Sequence, residues 1–134
     1  MKTLSFIIAV LVSTFLLPAQ TLTVTVENVL NENGKVLFSL HTEETFMKGP
    51  GIKNIEAAID GKVVTVTFED VEPGIYAIMV LHDENENNRM DYELSGMPKE
   101  AYGASNNSMS FGPPQFSEAK FELKKENKEI KIRF

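Results

Sequence analysis

The sequence predicts an all-β, single-domain antiparallel sandwich of about seven strands, and three observations carry that expectation. Apolar residues recur with a period of two, and helical periodicity is scarce. Turn-forming clusters of Asn, Asp, Gly and Pro separate the alternating runs at short intervals. The chain has 134 residues and no cysteine, so one core must be held by packing without disulfide staples.

The elements follow in order. Leu22, Val24 and Val26 alternate with Thr21, Thr23 and Thr25, which makes one inward face and one threonine face. Asn31-Glu32-Asn33-Gly34 is a turn signal, and a second strand over Lys35 to His41 places Val36, Phe38 and Leu40 on one side. The run from Thr42 to Pro50 breaks the pattern and reads as a loop. Ile55, Ala57 and Ile59 lead into Asp60-Gly61, a strong two-residue hairpin signal, with Val64, Val66 and Phe68 in the returning strand. After Glu72-Pro73-Gly74, every residue from Ile75 to Leu81 is apolar, as expected of a central strand covered on both faces or meeting a lid. Phe121 and Leu123, a turn at Glu126-Asn127-Lys128, and Ile130, Ile132 and Phe134 form a last hairpin. Between the central strand and that hairpin lies a long segment, about 83–115, with no clear strand. Its aromatic and apolar residues, together with its prolines and glycines, predict an ordered Ω-like cap on the sandwich.

The N-terminus reads as an export signal. Lys2 supplies a positive start, Leu4 to Leu17 an apolar stretch, and Pro18-Ala19-Gln20 a cleavage zone, so residues 1–19 are expected to be removed and 20–134 to form the domain. No cysteine is present to carry a lipid. The expected product is periplasmic or secreted, with no membrane insertion after cleavage. Loss of Lys2 leaves 12 basic against 19 acidic side chains, a net charge of −7. Such a balance argues against nucleic acid and anionic membranes as partners, and suits a cation or simple solubility.

The most informative stretch is Asp83 to Glu93, D-E-N-E-N-N-R-M-D-Y-E. Asp83, Asn85, Asn87 and Asp91 occupy positions 1, 3, 5 and 9 of a loop that can converge oxygens on a calcium ion, and Arg89 can offer its carbonyl at position 7. Two departures from the usual pattern stand out. Asn88 occupies the sharp-turn position where glycine is usual, and Leu94 the twelfth, where a bidentate glutamate closes the shell. Glu93 falls one residue early. The run reads equally well as a cation-free turn, since Asp and Asn side chains bond nearby backbone.

Other candidates are weaker. His41 and His82 stand at predicted strand ends and can share a site only if those ends meet. The alternative is two rim histidines bonded to loop backbone. Ser105, Ser108 and Ser110 lack the context of a nucleophile elbow. Lys99 and Glu100 read as a solvated pair. Asn106-Asn107-Ser108 is formally a glycosylation acceptor, but reads better as a turn pinned by its amides. Tyr92, Tyr102, Phe111 and Phe116, beside Asn106 and His82, offer aromatic faces for a sugar ring or a peptide side chain. The competing reading is a miniature core of the cap itself.

The run P-G-I-Y-A-I-M-V-L-H-D-E-N-E-N-N-R-M-D, followed by G-M-P-K-E-A-Y-G-A-S-N-N and F-G-P-P-Q-F-S-E-A-K-F, resembles the exported bacterial family catalogued as domain of unknown function 2141. Pro73 to Phe121 carries these motifs, and the resemblance extends over most of the mature chain. It implies export but no activity. Members usually carry glycine where Asn88 stands. More distantly, a P-G-x-Y strand feeding an Asp/Asn-rich loop is similar to transthyretin-like and adhesin B-type modules, some of which hold calcium there. The implied architecture is an immunoglobulin-like or transthyretin-like sandwich.

Three function classes remain: an exported binding or accessory module whose long loop, ordered by calcium, forms a recognition surface; a structural or adhesion module; and an enzyme with a site near His41 and His82. The sequence displays no convergent catalytic set, and the first class fits it best.

Overall fold

The computed structural model describes residues 20–107 and 112–134. The export signal and Phe111 lie outside the described residues. Among the described residues there are eight strands: β1 (Gln20–Glu27), β2 (Lys35–His41), β3 (Lys53–Ala58), β4 (Val64–Val71), β5 (Gly74–Asp83), β6 (Tyr102–Ala104), β7 (Phe121–Leu123) and β8 (Lys128–Arg133). They form a three-stranded sheet in the order β4-β1-β8 and a five-stranded sheet in the order β3-β2-β5-β6, with β7 also paired to β5. The two sheets make a β-sandwich, as the alternation predicts.

The core is what the period-two pattern dictates. Leu22, Val24 and Val26 of β1 and Val66 and Phe68 of β4 face Val36, Phe38 and Leu40 of β2 and Ile78 and Val80 of β5. On the outer face of the smaller sheet the threonines pair across strands, Thr25 with Thr65 at 2.9 Å and Thr23 with Thr67 at 3.4 Å.

Connectivity departs from expectation in three places. The Asp60-Gly61 turn does not close a hairpin, because β3 pairs with β2 and β4 pairs with β1, so the turn carries the chain from one sheet to the other. Its groups are held instead by the neighbouring turn: the Gly61 N–H donates to Glu32 Oε1 at 3.0 Å and the Val29 N–H to the Lys62 carbonyl at 3.1 Å. The last two strands are no hairpin either. β7 pairs antiparallel with β5, while β8 runs parallel to β1. The third departure is the long segment, which holds β6, a 3₁₀ turn over Ser105–Asn107 and a short helix, α1 (Phe116–Ala119).

β5 is the central strand, and its ten residues serve three partners. Its first three residues pair with β7, its middle with β6, and Ala77 to Asp83 with β2. One face, Tyr76, Ile78 and Val80, enters the core; the other, Ala77, Met79 and Leu81, points outward. Gly34 lets β2 begin tight against β5, since a Cβ there would lie 2.0 Å from the Asp83 carbonyl and φ is +69°.

Candidate functional site

The register of the five-stranded sheet fixes the site. On its outer face the residues form rows across the strands: Lys35 with Asp83; then Glu56, Leu37, Leu81 and Tyr102; then Asn54, Ser39, Met79 and Ala104; then His41 with Ala77. At the His41 end this face is covered. Phe46, from the turn after β2, and Phe116 and Ala119 of α1 pack on Ala77 and Met79. Phe46 meets the His41 ring and the Phe116 ring edge-on, each with centroids 5.8 Å apart.

The remainder of the face is the floor of a groove of about 890 Å³. Leu37, Met79 and Leu81 contribute to its floor, the segment around Met47 and Pro50 forms one wall, and Met90, Tyr92 and Met97 form another. Tyr92 and Pro98 make an antiparallel bridge that closes a small hairpin, stitched by the Glu93 N–H to the Met97 carbonyl and the Gly96 N–H to the Glu93 carbonyl, each 2.8 Å. Tyr92 is 58% exposed and Met97 63%, so this part of the segment has no miniature core of its own. Tyr102 lines the groove from β6. Phe116 instead lies in the covered cluster.

The Asp83 loop anchors that hairpin. Asp83 is fully buried at the end of β5; its Oδ1 accepts from the Asn87 N–H at 3.2 Å and its Oδ2 from the Asn88 N–H at 2.8 Å. Asn88 takes the left-handed conformation expected at the turn position, with φ 63°. The Asn85 amide contacts Asp91 Oδ2 at 2.6 Å, and the Asn87 amide spans both Asp91 oxygens at 2.8 and 2.9 Å. The Arg89 N–H donates to Asn87 Oδ1 at 3.1 Å. Thus Asp83, Asn85, Asn87 and Asp91 are held in one hydrogen-bonded loop, whereas Glu93 is exposed and its backbone belongs to the hairpin.

Glu100 is the residue that sequence reasoning misplaced. It is not half of a solvated pair with Lys99; it is 7% exposed and clamps the loop. Its Oε2 accepts from the Glu84 N–H at 2.7 Å and its Oε1 from the Asp91 N–H at 3.2 Å. Burial pushes its carboxyl up, and contact with the Asp91 carboxylate pushes the same way, against the pull of the two N–H groups. Asp91 is held down, chiefly by the Asn85 amide, with help from Asn87, Glu100 and the Arg89 charge. Two carboxylates in contact repel unless a proton or a cation sits between them. The hint in the sequence was a carboxylate shortly after a loop lacking its closing glutamate.

The two histidines do not share a site. β2 and β5 are antiparallel, so His41 pairs with Ala77 while His82 pairs with Val36 at the other end, about 17 Å along the sheet. They also face opposite sides. His82 lies on the core side, stacked on Phe134 with centroids 6.2 Å apart, and donates from Nε2 to the Asn33 carbonyl at 2.8 Å. Its ring is thus buried in the core, away from the outer face of the sheet. His41 lines the groove, and burial lowers its pKa, partly offset by its bond to Thr45.

Asn106 is also bonded within the fold. With φ 68° it turns the chain, and its amide donates to the Glu118 and Lys120 carbonyls at 3.0 and 2.9 Å, fastening α1. Asn107 does the same for β8 through Lys131 and Arg133. Both agree with a turn pinned by its amides.

Compared with known protein families, residues 24–131 match the profile of a family described as "Uncharacterized protein conserved in bacteria (DUF2141)". Comparison with curated proteins and with solved structures gave no match.

Proposed function

We propose, from the premise that this chain belongs to the bacterial DUF2141 family, that it is an exported binding module which takes an apolar ligand on the outer face of its five-stranded sheet. The observation that carries the reading is the groove of about 890 Å³, which lies within the size range of ligand sites and has an apolar floor built on regular strands. A rigid floor with irregular loops as walls is the usual division of labour in a binding site.

Calcium has a supporting part in this reading. Asp83, Asn85, Asn87 and Asp91 lie in one loop with the Glu100 carboxylate clamped against it, and the Asn85 and Asn87 amides now turn their NH2 groups toward Asp91, so a cation would take the place of those N–H contacts with the amides turned over. A bound cation relieves the repulsion between Asp91 and Glu100 and stiffens the hairpin that walls the groove. At roughly 1 mM calcium and a dissociation constant of about 0.1 mM, linkage gives about 1.4 kcal/mol of stabilisation. Chelator should lower the melting temperature of the wild type and leave that of an Asp83→Ala/Asp91→Ala variant unmoved. Equal melting curves for the wild type in calcium and chelator would remove the cation from the account.

The groove is tested separately with the uncharged dye N-phenyl-1-naphthylamine, whose fluorescence rises in apolar surroundings. Wild type should bind it saturably, and a Leu37→Gln/Leu81→Gln variant with unchanged circular dichroism should bind it at least tenfold more weakly. Equal binding by the two proteins would contradict the reading.

A further inference from the structure

Four of the chain's six methionines, Met47, Met79, Met90 and Met97, line the groove, and each arrives from a different segment. Met79 stands on the floor, where β5 is paired on both sides, to Ser39 and to Ala104. Met47 follows Phe46, whose buried ring anchors the turn after β2 and whose N–H donates to the Thr42 carbonyl at 3.0 Å. Met90 directly precedes Asp91, whose N–H donates to Glu100. The Met97 carbonyl accepts from the Glu93 N–H at 2.8 Å. Separate hydrogen bonds thus fix each backbone against one space, while the unbranched stems keep three rotatable bonds with which to converge.

These side chains are not filling a core. Met47 is 51% exposed and Met97 63%, and Met79 and Met90 are half-buried. Met47 also holds a φ of 58°, a left-handed conformation unfavourable for a residue with a Cβ. Leucine in relaxed backbone would make as apolar a wall. What the four share and leucine lacks is a thioether sulfur, a neutral, soft donor that selects Cu(I) and its analogue Ag(I) over hard cations. The chain has no cysteine, so methionine is its only source of sulfur ligands. Among the described residues the lining holds no lysine or arginine to repel a cation, and one carboxylate, Glu56, which is ion-paired to Lys35 at 3.1 Å. Such a lining offers little to a divalent, oxygen-seeking ion and suits a univalent one.

We infer that the groove holds one soft univalent metal ion, Cu(I), through at least three of the thioethers of Met47, Met79, Met90 and Met97, which bridge its two walls across the floor. This site is separate from the oxygens of the Asp83 loop, and it needs the sulfurs rather than the apolar surface that takes the dye.

Silver nitrate in chloride-free buffer, Ag(I) being inert to oxidation, tests it on the whole chain labelled at the methionine methyls. Wild type should take up one Ag(I) saturably, and at least three of the four groove resonances should move along that one curve. A Met47→Leu/Met79→Leu/Met97→Leu variant keeps the apolar volume and removes the sulfurs. It should bind Ag(I) at least tenfold more weakly while binding N-phenyl-1-naphthylamine as wild type does. Cu(I) without oxygen, in competition with bicinchoninate, should rank the two proteins in the same order. The resonances need no variant, so they decide the matter even if the triple variant misfolds. Equal silver binding by two folded proteins, no saturable uptake by wild type, or a shift confined to one or two methyls would overturn the metal site and leave dye binding as it stands. Saturable silver without dye binding by wild type would instead remove the apolar ligand and keep the metal.

Discussion

At the scale of single residues, the titrations of His41 and Glu100 are displaced in opposite directions. For His41 the folded state favours the neutral ring, so its contribution to stability is complete above the ordinary value of 6.5 and is lost as pH falls through that value toward the lowered one. Urea unfolding at pH 7.5 and at a mildly acidic pH should show wild type losing stability where His41→Phe loses less. Glu100 behaves conversely. Its raised carboxyl favours the folded state below its ordinary 4.5, and that contribution is lost as pH rises through the raised value. Calcium acting on the ionised form should release a proton from Glu100 in this window, which calorimetry in two buffers of different ionisation enthalpy would detect. Truncation, Glu100→Ala, strands the N–H groups of Glu84 and Asp91 and should cost about 1–3 kcal/mol in denaturant unfolding. The oxygens of the Asp83 loop were legible in the sequence because their spacing is local. Glu100 was not, since its contact with Asp91 depends on how the intervening hairpin folds.

Among the elements, strands were legible and their partners were not. Alternation in β1, β2 and β4 reports which side of a sheet is wet, and with the unbroken apolar run of β5 it located these strands, β4 running three residues past Phe68 to Val71. Pairing is a non-local choice, and Asp60-Gly61 shows the limit: a strong hairpin signal joins two strands in different sheets because β2 and β1 already take their edges. β6 escaped notice since three residues, Tyr102–Ala104, are too few to display a period. It is nonetheless tightly fitted. A Cβ on Gly103 would come within 2.6 Å of Ile132, so Gly103→Val should lower stability by about 1–3 kcal/mol through overpacking between β6 and β8, as measured by urea unfolding.

Over the whole molecule, the two sheets differ in what their outer faces are given to do. The smaller sheet turns a threonine ladder to solvent, while the larger presents Leu37, Met79 and Leu81 between two walls. One wall is tethered by the Asp83 loop, so the account couples cation and ligand: calcium should tighten the groove's hold on an apolar molecule, and by linkage the ligand should tighten calcium by the same factor. Titrations of dye in calcium and in chelator would give that factor, with no difference meaning that the loop and groove act independently. The acidic balance and the aromatic residues of the long segment pointed toward this region from sequence alone. The groove itself emerged only when the register set Leu37 beside Leu81 and Tyr102. The central claim is therefore tested most directly with protein labelled at the methionine methyls and titrated with N-phenyl-1-naphthylamine. The resonances of Met47, Met79, Met90 and Met97 should shift together along one saturable curve; four unmoved resonances, with the dye bound elsewhere or not at all, would contradict it.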